Sequence, residues 1–145
     1  MAKPRPIQKL RDSLPGYVEE WFLSRGWRPH DYQRAMVDAF VNRQSTLLIA
    51  PTGGGKTLSG FLPSLIDCQE TRPDGIHTLY VSPLKALTND IERNLMRPIA
   101  EMGLAVTVES RTGDTPQAKR ARHVSTLKSY CKIATLSKVA SSATA

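Results

Sequence analysis

The chain has 145 residues, 40% hydrophobic and 23% charged, enough for one domain that buries a core of its own. A formal charge of +7 and a pI near 9.7 favour an anionic partner, nucleic acid first among them. Cys68 and Cys131, with no C-x-x-C pair and no histidine close by in sequence, exclude a disulfide scaffold and a zinc site of the usual spacing.

Residues 1–15 read as a loose lead-in, broken by Pro4, Pro6 and Pro15, with no apolar stretch of the kind that targets a chain for export. No run approaches membrane-spanning length, so the expectation is a soluble, cytoplasmic protein with no membrane partner. Tyr17 with Trp21, and Val18 with Phe22, fall at helical spacing, and Gly26 is placed to end that helix. Residues 1–26 thus form a lead-in and helix, with the tryptophans read as packing. A second helix is predicted from Asp31 to about Asn42, its inner face being Met36, Val37, Phe40 and Val41. The apolar run Thr46 to Ile49 predicts a strand, followed by a helix from Lys56 to about Cys68.

A turn at Arg72-Pro73-Asp74-Gly75 precedes a predicted strand, Thr78 to Val81. Helical sequence resumes from Leu84 to Met102, where Pro98 is late enough to kink or end it. Gly103 closes that stretch, and Leu104 to Val108 supplies a further strand. Strands alternating with helices argue for an α/β fold with a parallel sheet. All 13 acidic residues lie before His123, and the tail 123–145 shows neither a strand nor a helix period. No structure is expected there.

The segment Ala50-Pro51-Thr52-Gly53-Gly54-Gly55-Lys56-Thr57 carries the chemistry. Glycines let successive backbone N–H groups converge on phosphate oxygens without a Cβ in the way. Lys56 can then reach the β- and γ-phosphates, and the Thr57 hydroxyl can ligate Mg²⁺. The general loop is G-x-x-x-x-G-K-S/T, and Ala50 replaces its first glycine. The candidate nucleotide contacts are Thr52, Gly53, Gly54, Gly55, Lys56 and Thr57, with Thr57 as the metal ligand.

Upstream, the Gln33 amide can donate to and accept from an adenine edge, which selects ATP over GTP. Downstream, Ser82-Pro83-Leu84-Lys85-Ala86-Leu87-Thr88 passes from a strand end into a helix start, a seat for a backbone phosphate. Lys85 and the hydroxyls of Ser82 and Thr88 suit that work. Thr112-Gly113-Asp114 follows the next strand, and ligands of such sheets gather at the carboxyl ends of the strands.

Together these segments resemble superfamily 2 helicases of the DEAD/DEAH-box type, within the large helicase-related group. Gln33 matches the adenine-reading glutamine, Ala50–Thr57 motif I, Ser82–Leu87 motif Ia, and Thr112–Asp114 the T-G-D element. The runs Leu48 to Gly53, Gly60 to Leu65, His77 to Tyr80, Glu101 to Leu104 and Arg111 to Pro116 are similar to the ligase-associated DEXH-box branch. The resemblance covers about residues 14–122, so 27–122 reads as part of a RecA-like ATP-binding domain. It implies ATP and Mg²⁺ as cofactors and nucleic acid, DNA foremost, as partner. It also implies strand contacts from Ser82, Pro83, Leu84, Lys85, Ala86, Thr112, Gly113 and Asp114. A DNA ligase or nuclease in a repair system is the implied protein partner.

The D-E-x-H box that orients the attacking water in such enzymes does not occur in this sequence, and no catalytic residue is assigned. At best weak ATP binding, without hydrolysis, is therefore expected of this chain. The tail admits two readings. Codons compatible with Thr126–Lys132 and Thr135–Lys138, read one base out of frame, spell Pro-Glu-Ile-Leu-Leu-Gln and Pro-Glu-Gln, as the family's next segments do. Alternatively Lys119, Arg120, Arg122 and the tail lysines form a basic arm on phosphates. The second functional reading is a non-catalytic nucleic-acid-binding module that keeps a vestigial nucleotide loop.

Overall fold

The computed structural model describes residues 14–111 and 131–137, as four helices and three strands among them. Helix α1 spans Gly16–Ser24, α2 Asp31–Val41, α3 Lys56–Thr71 and α4 Lys85–Glu101. Strands β1 (Gly75–Ser82), β2 (Val106–Arg111) and β3 (Cys131–Ser137) form one parallel sheet in the order β1-β3-β2. The predicted helices and the strands at 78–81 and 104–108 are present, within a few residues at their ends. Pro98 lies inside α4, which runs on to Glu101.

Helix α3 organises the core because apolar residues occupy two of its faces. Phe61, Leu65 and Cys68 pack with Ile91, Leu95 and Ile99 of α4 and with Val106, Val108, Cys131 and Ile133 of the sheet. Leu62 and Ile66 turn the other way, against Val18, Trp21 and Phe22 of α1 and Val37 of α2. Leu62 and Leu65 are fully buried. At about 25 cal/mol per Å² of apolar surface, contacts of this kind dominate what holds the layers together.

Three expectations are corrected. Within α2 the buried residues are Gln33, Val37 and Ala39, while Phe40 is 36% exposed, so the inner face is turned from the one expected. The stretch Thr46–Ile49 forms no strand, and Leu47 and Ile49 are 83% and 85% exposed. A central parallel strand needs a ladder and a packed face on both sides. Among the described residues β1 pairs only with β3, and nothing lies beyond its far edge to hold a further strand. Ile76, Leu79 and Val81 of β1 are correspondingly exposed.

The third correction is in the tail, where 131–137 forms β3, the central strand of the sheet. Its polar residues hid this role, because buried strands read as apolar runs. Here they are satisfied sideways: Lys132 Nζ reaches Glu109 Oε1 at 3.0 Å, and the Thr135 hydroxyl donates to Ser110 Oγ at 3.1 Å. Lys132, 5% exposed, is thus an ion-pair partner inside the sheet, not part of a basic arm.

Candidate functional site

The phosphate-type loop is closed by its own backbone. The Gly54 N–H donates to the Pro51 carbonyl at 3.1 Å, and the Tyr32 hydroxyl donates to the Gly54 carbonyl. A Cβ on Gly54 would lie 3.0 Å from the Pro51 oxygen and 3.2 Å from the Tyr32 oxygen, so glycine is required sterically. Gly55 has φ +71°, in the left-handed region that favours glycine, and caps the start of α3. No acidic residue occupies the first turn of α3 and no side chain caps it, so its N-terminal N–H groups and dipole are open to an anion.

Lys56 is the first residue of α3. Its ammonium folds back to donate to the carbonyls of Ala50 at 2.7 Å and Pro51 at 2.9 Å. Neutral acceptors are weaker partners for an ammonium than phosphate oxygens are. The side chain is therefore held over the loop by contacts that a polyanion can replace. Thr57 and Thr52 stand on either side of the glycines and line the same cleft as Lys56.

Gln33 is brought to this loop by α2. It is 2% exposed, its Oε1 accepts the His30 N–H at 2.9 Å, and its Nε2 would meet a Cβ on Gly55 at 3.3 Å. One end of the amide thus fixes the start of α2 while the other faces the glycines. The His30 and Tyr32 rings stack at 4.8 Å beside it.

In front of the loop lies a cleft of about 500 Å³. Its far wall comes from α1, the α1–α2 connection and α4, including Trp21, Arg25, Trp27, Arg93 and Arg97. The Arg25 guanidinium lies over both indoles, 5.4 Å from Trp21 and 5.2 Å from Trp27. It also pairs with Glu101, which accepts from Trp21 Nε1 at 2.8 Å and Arg97 Nε at 2.9 Å. These donors, Trp21 first and then Arg97 and Arg25, hold the Glu101 carboxyl at about 2. The sequence reading assigned the tryptophans to packing and missed Arg25, Arg93 and Arg97 as cleft residues. No local spacing links 21–27 to 93–101, so only the fold reveals the pairing.

The second expected site splits. Parallel strands in this register put Ser82 and Arg111 at one carboxyl edge. Helix α4 begins there at Lys85, leaving first-turn N–H groups at the edge beside exposed Pro83, Leu84 and Ala86. The Ser82 hydroxyl is buried and accepts the Leu84 N–H at 3.3 Å, and buried Thr88 donates to the Leu84 carbonyl at 3.4 Å. Both hydroxyls thus shape the turn. Thr112, Gly113 and Asp114 lie outside the described residues, as do Lys119, Arg120 and Arg122.

Comparison with known proteins places this geometry. The sequence pattern of the family described as DEAD/DEAH box helicase matches residues 30–144. The Lhr helicase/ probable uracil glycosylase of Mycolicibacterium smegmatis is 41% identical over 116 residues, covering 71% of this chain and 8% of the relative. The ATP-dependent helicase Lhr-Core of Methanocaldococcus jannaschii is 34% identical over 137 residues, 84% of this chain and 16% of that protein. Among solved structures, helicase Lhr of Mycobacterium smegmatis bound to ssDNA and AMP-PNP is similar with a TM-score of 0.71 and 35% identity. That match covers 83% of this chain and 16% of the other.

Proposed function

Because the chain belongs to the DEAD/DEAH box helicase family, we propose that it is the ATP-binding portion of an ATP-dependent DNA helicase. The observation that carries this reading is the glycine cradle at the start of α3, with Lys56 folded over it and Gln33 against it. At Gly54 and Gly55 a Cβ would press on Pro51, Tyr32 and Gln33, so the glycines keep the loop backbone tight, a curvature that fits a bound triphosphate. Thr52, Gly53 and Gly55 would offer N–H groups, Lys56 would leave the Ala50 and Pro51 carbonyls for phosphate oxygens, and the Thr57 hydroxyl would hold Mg²⁺. The Gln33 amide would read adenine by turning out of its buried position and releasing the His30 N–H. ATP supplies the phosphoanhydride whose hydrolysis drives strand movement in a complete helicase.

The chain spans 8% and 16% of the length of the two curated relatives compared above, and unwinding belongs to this reading of a whole protein. The strand is held by α4's first turn at the carboxyl edge of the sheet, and the family resemblance adds Lys85, Thr112, Gly113 and Asp114 as further contacts. Single-stranded DNA as substrate is supported by the Lhr structure solved with it. A ligase or nuclease acting on the same DNA is the expected repair partner, and the cytoplasm its compartment. Among the described residues no helix is long and apolar enough to cross a membrane.

Titration with AMP-PNP in the presence of Mg²⁺ tests the nucleotide reading, with Lys56→Ala as control. Loss of the charge-assisted contacts is expected to weaken binding by about tenfold or more. Equal binding by both chains sinks the proposal. Salt-dependent DNA binding that survives Lys56→Ala without any nucleotide binding would instead favour the non-catalytic module, which the +7 charge supports.

A further inference from the structure

We propose that Cys68, His77 and Cys131 form a redox-exchangeable zinc site at the end of α3 remote from the phosphate loop. The three residues come from three elements, α3, β1 and β3, and the sequence gives no hint of their meeting. Two sulfurs and one imidazole nitrogen lie within 4.8 Å of one another. Both cysteines are buried, and the His77 side chain is 14% exposed, leaving a short path to solvent.

The backbone is shaped to deliver the imidazole. Strand β1 slips its register between Ile76 and Thr78, so His77 is the residue left without a partner on β3. Such a bulge re-aims a side chain out of the strand's alternation. The ring is then held on both sides: Nε2 lies 2.7 Å from Asp67 Oδ2, and Nδ1 lies 2.8 Å from Thr78 Oγ1. A carboxylate on one imidazole nitrogen is the usual support for a metal-bound histidine, which leaves Nδ1 for the metal once it releases Thr78 Oγ1. The other Asp67 oxygen, Oδ1, is buried without a hydrogen-bond partner. A buried carboxylate oxygen left unpaired is costly, and a cation beside it removes that cost.

Two thiolates and an imidazole are the ligand set Zn²⁺ favours. Tetrahedral zinc, with bonds of about 2.0–2.3 Å, draws its ligand atoms to within roughly 3.3–3.8 Å of each other. The imidazole nitrogen therefore has to approach the sulfurs by about 1 Å, while the two sulfurs, about 2 Å apart when bonded, have to part once reduced. A water completes the coordination.

In the structure the two sulfurs are joined as a single disulfide, where the sequence reading excluded a disulfide scaffold and suggested no pairing. The disulfide and the metal site exclude each other. A phosphine reductant supplies the two electrons and water the oxygen and both protons: the phosphine is oxidised to its oxide, the S–S bond breaks, and two thiols form. Zinc then binds both sulfurs and displaces two protons. Either state ties α3 to β3, by a covalent bond or by a metal.

The experiment uses the full chain, reduced with a phosphine, freed of it without oxygen, and titrated with Co²⁺ as a spectroscopic stand-in for Zn²⁺. About one equivalent should produce a thiolate-to-cobalt charge-transfer band that Zn²⁺ removes, typical of sulfur-ligated sites. The oxidised chain, identical in sequence, should show none. Cys131→Ser should lose the band, and His77→Ala, which keeps both sulfurs and can be checked for folding as the disulfide, should bind about tenfold more weakly or worse. A reduced chain without the band, or a His77→Ala chain that binds as tightly as the original, overturns the proposal. So does unfolding on reduction that Zn²⁺ fails to reverse.

Discussion

At the N-terminal end of α3 the backbone is open: Gly53 to Gly55 curve around a cleft, and the Lys56 ammonium rests on carbonyls that an anion can displace. At the C-terminal end everything is engaged. Cys68 is bonded to Cys131, Asp67 holds His77, and Leu65 is sealed between α4 and the sheet. One helix thus joins a fixed base to a receptive tip. The contrast teaches that the packed core and nucleotide binding are placed on separate turns of the same element, so substitutions should separate them.

The largest expected effect is at the base. Leu65 is fully buried, and Leu65→Ala should lower unfolding free energy by about 3 kcal/mol, within the range for large-to-small core changes. Urea unfolding measures it. A loss below about 1 kcal/mol would mean that the base is not the tightly packed core described, and the comparison would break there.

At the tip the opposite separation should hold. In Gly54→Ala the new Cβ meets the Pro51 carbonyl at 3.0 Å, a backbone atom that yields only if the loop changes shape. AMP-PNP affinity should fall by roughly tenfold, the equivalent of about 1.4 kcal/mol. Thermal stability should change far less than in Leu65→Ala, since the loop is exposed. Unchanged affinity would show that the loop's present curvature is not what holds the nucleotide.

The two ends also differ in how far their residues disclosed them. The tip is a local motif: strand run, glycines, Lys56 and helix start are contiguous, and Gln33 was found because an amide before such a loop has a specific use. The base is built from residues distant in sequence, Cys68 with Cys131 and Asp67 with His77, which no local period can join. Strand β3 was missed for a related reason: Lys132 and Thr135 look solvent-facing until Glu109 and Ser110 are seen across the ladder. The failed strand at 46–49 is the converse. Its apolar residues promised burial, but a run of four needs neighbours, and among the described residues β1 pairs only on its β3 side.

A smaller effect should follow acidification, and it probes the wall that faces the tip. Glu101 sits at about 2 in the fold, below the ordinary value of 4.5, because Trp21, Arg97 and Arg25 donate to it. A depressed carboxyl contributes stability that is present above about 4.5 and lost as pH falls toward about 2. Glu101→Gln should flatten the stability profile across that window, with Trp fluorescence reporting the loosening around Trp21. Parallel profiles for the two chains would remove Glu101 as the anchor of the cleft wall.

The smallest effect is the most discriminating for the region beside the loop. Ile49 is 85% exposed, and a side chain in water contributes little to the fold however apolar it is. Ile49→Ser should therefore change unfolding free energy by no more than about 0.5 kcal/mol. It should also reduce association between chains, because exposed Leu47 and Ile49 add to the apolar surface that Ile76, Leu79 and Val81 leave on β1. Sedimentation at rising concentration reads the second effect, and urea unfolding the first. A loss as large as that of Leu65→Ala would mean that 46–49 packs as a strand after all, and that the tip is buttressed as firmly as the base. Only a near-zero change keeps the two ends of α3 as different as the structure makes them.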